Sequence, residues 1–363
     1  MPIYMDRHDV SAEVTAEIVA QLHQEDLKIQ DKFNCKGLTY WFDDARKTAF
    51  CLVEAPNKEA LKQMHDQAHG QVPHRIIEVD NAVVESFLGR IEDPAKSQNT
   101  ALNIINDPAF RIIMIITTRP LNLLEPSNAH KSHYQKLTTA IQTSLNTHKG
   151  RLVKQRLQYS LAAFDSVTQA VLCALEIQNN AADQPNQWAL NIGLSAGVPV
   201  TEKDGIFEDT IKMAERLCGY VNCPVSIASE VKDLYESENL NEPINSKHVH
   251  ALSSADEKFL NKLLDYTERV WHQTSLSAGD FCVNLGYSKS HLYRKMIAVL
   301  GKSPNTFLKD YRLEQALHLL QKQTDNISEV AFKSGFNSAA YFSKCFMDKY
   351  GLLPSKYLQQ YTV

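Results

Sequence analysis

His65 and His69 stand four residues apart, and this spacing puts two imidazoles on one face of a helix, as a divalent metal requires. His8 follows a first predicted strand, Cys51 lies in a third and Glu78 in a fourth, so each can supply a further ligand. The same pattern also describes two solvated histidines, and Cys51 within an apolar strand also reads as core. A second set of reactive types lies near the other end of the chain: Lys289, Ser290, His291, Arg294 and Lys295, then Ser338, Ala339, Ser343 and Lys344. Arg294 can bond guanine or a phosphate, whereas Lys289 and Lys295 suit the backbone of a duplex.

The elements that must position the histidines are legible over the first ninety residues. Ile3 to Arg7 reads as a strand, Ala12 to Phe33 as a helix, and Leu38 to Phe42 with Thr48 to Glu54 as a hairpin. Lys58 to His69 is a second helix and Arg75 to Val79 a closing strand. Strand-helix-strand-strand-helix-strand is a ferredoxin-like order. Glu92 to Ala109 holds Asp-Pro twice among several Ser, Asn and Thr residues and reads as a linker. From Phe110 the pattern becomes an alternating α/β layer, with strands at Phe110 to Thr117, Arg151 to Phe164 (a hairpin), Leu190 to Val200 and Val225 to Ile227. Helices are expected at Ser132 to Leu145, Ser166 to Gln178, Phe207 to Tyr220 and Ser229 to Tyr235. A second linker, Asn241 to Ala255, carries His248 and His250, both read as solvated.

Two helix-turn-helix units fill the last hundred or so residues. Ser277 to Asn284 is a short helix, Leu285-Gly286-Tyr287 the turn, and Ser288 the start of a helix whose Leu292, Met296 and Leu300 face a core. Asn326 with Glu329 forms a capping-box start, Gly335 supplies the second turn, and Phe342 and Phe346 form one buried stripe of the helix that follows. Lys349 and Lys356 add charge near its end, where phosphates would be met. A helix opened by Ser303-Pro304 and containing Phe307, Tyr311, Leu313, Ala316, Leu317 and Leu320 is expected to join the units rigidly. Units held so can read neighbouring major grooves about 34 Å apart.

From about Asp256 to Tyr361 the chain resembles AraC/XylS-type bacterial transcription regulators. The resemblance is carried by Tyr311-Arg312-Leu313-Glu314-Gln315-Ala316, Gly335-Phe336-Asn337, Tyr341-Phe342-Ser343 and Gly351-Leu352-Leu353-Pro354-Ser355. The pair Ala339-Ala340 departs from the polar residues frequent there, so that helix reads thymine methyls or only positions itself. Over residues 1 to 92, Tyr4-Met5-Asp6-Arg7-His8, Leu38 to Asp43, Ala49 to Pro56 and the His65 to Gly70 segment resemble small bacterial nickel-binding proteins. That resemblance implies a metal held by His8, Cys51, His65 and His69, with nickel favoured and zinc, copper or cobalt compatible with the donors. From about Phe110 to Tyr235 the phrases Gly150 to Lys154, Leu161 to Ser166, Ile192 to Gly197 and Ala214 to Cys218 are similar to a class III adenylate or guanylate cyclase. Such cyclases hold two metal ions with paired aspartates; Thr117 and Gln158 align there, Leu157 and Tyr159 replace the glycines, and Lys212 stands for an asparagine. Neutral Thr and Gln cannot hold two divalent ions, so no cyclase activity is expected.

The expected architecture is therefore α+β and multidomain: a ferredoxin-like α/β sandwich at 1–92, a degenerate cyclase-like α/β domain at 108–238 and an all-α double helix-turn-helix at 256–363. The chain carries a net charge of -4, yet residues 256 to 363 carry +4, which leaves -8 for the rest and places the DNA-binding charge at the end. No apolar run is long enough to span a bilayer, Ile112 to Ile116 being a buried strand in size, and no signal peptide is evident. Seven cysteines without paired spacing fit a reducing cytoplasm. The sequence thus points to a regulator, not an enzyme, that binds double-stranded DNA as a homodimer with RNA polymerase as a further partner, and responds to a metal ion or small ligand. The rival readings are a nucleotide cyclase with a regulatory DNA-binding tail and a metal store.

Overall fold

The computed structural model describes residues 1–94, 102–120, 128–182, 188–240, 244, 249–322 and 326–361. It begins with β1 (Ile3–Asp9), α1 (Ala16–Ile29), β2 (Lys36–Asp43), β3 (Thr48–Glu54), α2 (Lys58–His69), β4 (Arg75–Val79) and α3 (Asn81–Leu88). The four strands pair antiparallel in the order β2-β3-β1-β4, the ferredoxin-like arrangement expected from the sequence. The first helix starts later than Ala12, because the Thr15 side chain accepts from the Ile18 amide and fixes the N-cap there; a 3-10 turn, Gln30–Phe33, takes up its expected last residues. The expectation missed α3, although Asp80 caps its start and Gly89 ends it in the left-handed region.

The next strands and helices are β5 (Arg111–Pro120), α4 (Asn128–Thr147), β6 (Arg151–Arg156), β7 (Tyr159–Phe164), α5 (Val167–Ala182), β8 (Trp188–Gly197), α6 (Glu208–Tyr220), β9 (Val225–Ile227), α7 (Ser229–Glu238) and β10 (Val249–Ala251). Their sheet runs β10-β9-β8-β5-β7-β6. Its β8-β5-β7-β6 part repeats the connectivity of the first sheet, and β9 and β10 extend it with parallel pairings. His250 is exposed on β10, within the stretch expected as a linker, while His248 lies outside the described residues.

The two sheets bury a common core. Met5, Trp41, Phe50 and Leu52 from the first pack with Ile113, Ile115, Leu161 and Ala163 from the second, and with Phe87 of α3. The stretch expected as a loose linker, Glu92 to Ala109, is packed where it is described. Ile105 and Ala109 are buried, the Tyr40 hydroxyl donates to the Asn103 carbonyl at 2.9 Å, and Arg90 binds Asp107 at 3.1 Å with its guanidinium over the Trp41 ring. Its polar composition misled because the polar atoms are used in these bonds.

The remainder is α8 (Ser254–Val270), α9 (Ala278–Leu285), α10 (Lys289–Leu300), α11 (Pro304–Gln321), α12 (Ile327–Lys333), α13 (Ala339–Tyr350) and α14 (Pro354–Tyr361). α11 serves two cores: Phe307, Leu308 and Tyr311 join a cluster continuous with the second sheet's helical side, while Leu313, Ala316 and Leu320 join the core of α12 to α14. Gly335 turns at φ 79°, and a Cβ there would meet Arg312 Nε at 2.7 Å and the Trp271 carbonyl at 2.8 Å. Arg312 itself donates to the Trp271 and Gln273 carbonyls, so it ties α11 to the α8–α9 turn. All seven cysteines are free thiols, and among the described residues no helix is long and apolar enough to cross a membrane.

Candidate metal centre and nucleic-acid interface

Strand alternation puts Tyr4, Asp6 and His8 of β1 on the sheet face covered by α1 and α2, and the register sets Cys51 of β3 beside Asp6. His65 projects from α2 onto this face. One ligand atom each from Asp6, His8, Cys51 and His65 lies within 4.8 Å of the others, and Asp26, His65 and His69 form a second such group. The structure thus brings His8, Cys51, His65 and His69 together in one polar layer. It adds two carboxylates that the sequence reading missed. Asp6 was detectable, two residues before His8 on the same strand face; Asp26 required knowing which side of α1 meets α2. Glu78 is exposed opposite Tyr4 and stands outside both groups.

His65 occupies the centre. Its Nε2 is 3.0 Å from Asp6 and its Nδ1 is 3.1 Å from Asp26, whose other neighbour is His69 Nε2 at 3.2 Å. The two histidines of α2 are therefore buried and paired, not solvated. Burial opposes charge on the His65 ring, but hydrogen bonds to Asp26 and Asp6 overcome it and push its pKa up to about 10. Burial likewise works against the Asp6 carboxylate, yet His8 and His65 hold it well below the ordinary value; burial also opposes charge on Asp26, which His65 and His69 lower. Burial, reinforced by the Asp6 charge, pushes the Cys51 thiol well up. A proton on His65 thus supplies, between two carboxylates, the positive charge that a metal ion would supply.

The donor set fits a divalent transition metal. It mixes nitrogen, sulfur and carboxylate oxygen, and buried His8 Nε2 lacks a hydrogen-bond partner among the described residues, although it lies 3.2 Å from Asp6 Oδ1. Asp6, His8, Cys51 and His65 would hold the ion. Asp26, on the far nitrogen of His65, would then orient that ring, as carboxylates commonly do for metal-bound histidines.

At the other end, Lys289, Ser290, His291 and Arg294 are exposed along α10, opposite its buried Leu292, Met296 and Leu300. The Tyr287 ring braces His291 edge-on at 4.8 Å between centroids. Lys295, expected to reach outward, instead pairs with Asp256 of α8 at 2.5 Å. Ser338 caps α13 by accepting from the Tyr341 amide, Ala339 is half-buried against the core, and the Ser343 hydroxyl donates to the Ala339 carbonyl. Lys344 is exposed, as is Tyr341, which the sequence reading left out of the interface. Lys349 is not poised for phosphate: its ammonium binds Glu314 at 3.1 Å and the Asp310 carbonyl at 3.0 Å. Lys356 is exposed.

In the middle of the molecule the two positions aligned with cyclase aspartates carry no charge. The Thr117 hydroxyl lies 3.2 Å from Cys218 Sγ, and Gln158 sits in the β6–β7 turn with φ 65°. Arg216 and Lys212 of α6 are both engaged by α8: Arg216 binds Asp265 at 2.5 Å and Glu268 at 3.1 Å, and Lys212 binds Asp265 at 3.0 Å.

Residues 281–360 match the family model of a helix-turn-helix domain, and residues 4–79 match that of the nickel responsive protein SCO4226-like family. Among curated proteins, histidine kinase P4 of Formosa agariphila is 34% identical over 122 residues, covering 32% of this chain and 9% of the kinase. The uncharacterized HTH-type transcriptional regulator YdeC of Bacillus subtilis is 26% identical over 178 residues, covering 47% of this chain and 53% of that protein. The chain thus spans about half or less of the length of these relatives. The crystal structure of SCO4226 from Streptomyces coelicolor A3(2) is 34% identical over 21% of this chain and 94% of its own, with a TM-score of 0.20. The chain is thus similar to a helix-turn-helix domain over 281–360 and to the nickel responsive protein SCO4226-like family over 4–79.

Proposed function

We propose that this protein is a sequence-specific DNA-binding transcription regulator whose DNA affinity responds to a divalent transition metal, nickel foremost, bound in the first domain. The observation that carries the DNA-binding part is the exposed polar face of α10, opposite its buried Leu292, Met296 and Leu300, within a matched helix-turn-helix domain. The metal part is supported by the two donor groups around His65 and by the nickel-responsive family match over the same residues. No carboxylate stands at Thr117 or Gln158, which supports a regulator over a cyclase.

The regulator is proposed to act as a homodimer and, where it activates, through RNA polymerase. The facing surfaces of its two sheets bury each other, so a dimer would pair through other surfaces. The test is selection of genomic duplex fragments by the purified protein at fixed salt. Recovery of a common sequence bound at least about a thousandfold more tightly than random duplex supports the reading; uniform affinity for all fragments overturns it.

A further inference from the structure

The donor cluster does not end at solvent. Its His8, Cys51 and His65 line a cavity of about 410 Å³ together with Val10, Val14, Ile18, Val19 and Leu22. The volume lies within the range of small-molecule sites, and an aliphatic wall facing convergent polar groups is a common form of one. A metal ion with its donors needs little of this space. Six of the sixteen lining side chains, Ala49 included, offer neither a donor nor an acceptor, and water against them lacks partners. Displacing such water with an apolar body is favourable.

The lip has the same character. Val10 and Val14 lie on the segment between β1 and α1, and Ile18, on the first turn of α1, is 37% exposed. The buried His8 Nε2 and His23 Nε2 each face a carboxylate, Asp6 Oδ1 at 3.2 Å and Asp93 Oδ2 at 3.3 Å.

We propose that this cavity takes a small, largely apolar organic molecule carrying one metal-binding donor atom, so that the effector is the ion together with that molecule. The inference rests on the reading of the cluster as a metal site. The donor head would meet the ion from the cavity side while the apolar body lies against Val14, Ile18 and Leu22.

The full-length protein loaded with cobalt(II), whose visible spectrum reports its ligands, provides the test, with imidazole and 4-phenylimidazole as probes. The two share a donor nitrogen and differ by an apolar ring. The expected result is a spectral change with both probes and binding of 4-phenylimidazole at least about tenfold tighter. Ile18→Glu, a change at an exposed helix-start position that tolerates an acid, should remove that preference and leave cobalt uptake intact. Cobalt uptake with equal affinity for both probes, or with no response to either, overturns the inference and leaves the metal reading standing. Failure to take up cobalt, or uptake that persists unchanged in His65→Ala, overturns both.

Discussion

Arg294 and Lys344 differ in what their positions allow. Arg294 is exposed on α10 with its Nε within 3.4 Å of the Ser290 carbonyl, and it can swing from that weak contact to a base edge. Arg294→Ala is expected to cost about 1 to 3 kcal/mol of specific binding and to relax preference at one or two base pairs. Lys344→Ala should instead weaken all sequences alike and lower the salt slope by about one. Binding titrations at several salt concentrations separate the two. At His65 the consequence concerns stability. Its pKa is raised from 6.5 to about 10 in the folded, metal-free chain, so its contribution is fully present below pH 6.5 and is lost as pH rises to about 10. The lowered Asp6 and Asp26 contribute above the ordinary carboxylate value and are lost only in acid. The metal-free protein should therefore lose thermal stability between pH 7 and 10 more steeply than its His65→Gln variant; parallel curves would contradict the pairing.

At the scale of elements, α11 is the part whose sequence pattern conceals its role. It buries Phe307 and Tyr311 in one core and Leu313, Ala316 and Leu320 in another, so its apolar residues spread around the helix instead of forming one stripe. Leu313→Ala leaves a cavity where the side chain is fully buried, and a loss of about 2 to 5 kcal/mol is expected in thermal or denaturant unfolding, with DNA binding weakened through both units. A loss under about 1 kcal/mol would contradict this packing. The strands of both sheets apart from β10, which lies in the stretch read as a linker, and the helices α2 and α10 to α13 were legible in the sequence because caps, turn glycines and apolar spacing agree. Ser288, Ser338, Asn57 and Gly351 each end or begin a helix as their chemistry predicts. What was not legible depends on partners distant in sequence. Nothing near Lys295 or Lys349 announces Asp256 or Glu314, and no local pattern shows that Asp26 faces His65. The start of α1 at Thr15, instead of Ala12, likewise leaves Val10 and Val14 to line the cavity, a tertiary use of otherwise ordinary residues.

Across the whole molecule, packed contacts run from the metal layer to the DNA-binding helices. The strands that carry Asp6, His8 and Cys51 on one face present Met5, Phe50 and Leu52 to the second sheet on the other. On that sheet α6 lies close, since a Cβ on Gly193 would run into the Ala214 carbonyl; α6 in turn holds α8 through Arg216 and stacks Tyr220 on Tyr311 of α11. Contact is not coupling: the metal shifts DNA affinity only if it binds the DNA-competent arrangement more or less tightly than the alternative. The most direct measurement is the affinity of the full-length protein for a selected operator fragment at fixed salt, first with chelator and then with nickel. A change of about 5- to 150-fold is expected, and it disappears in the His65→Ala, His69→Ala double variant. Specific binding of the same strength with and without nickel would contradict it.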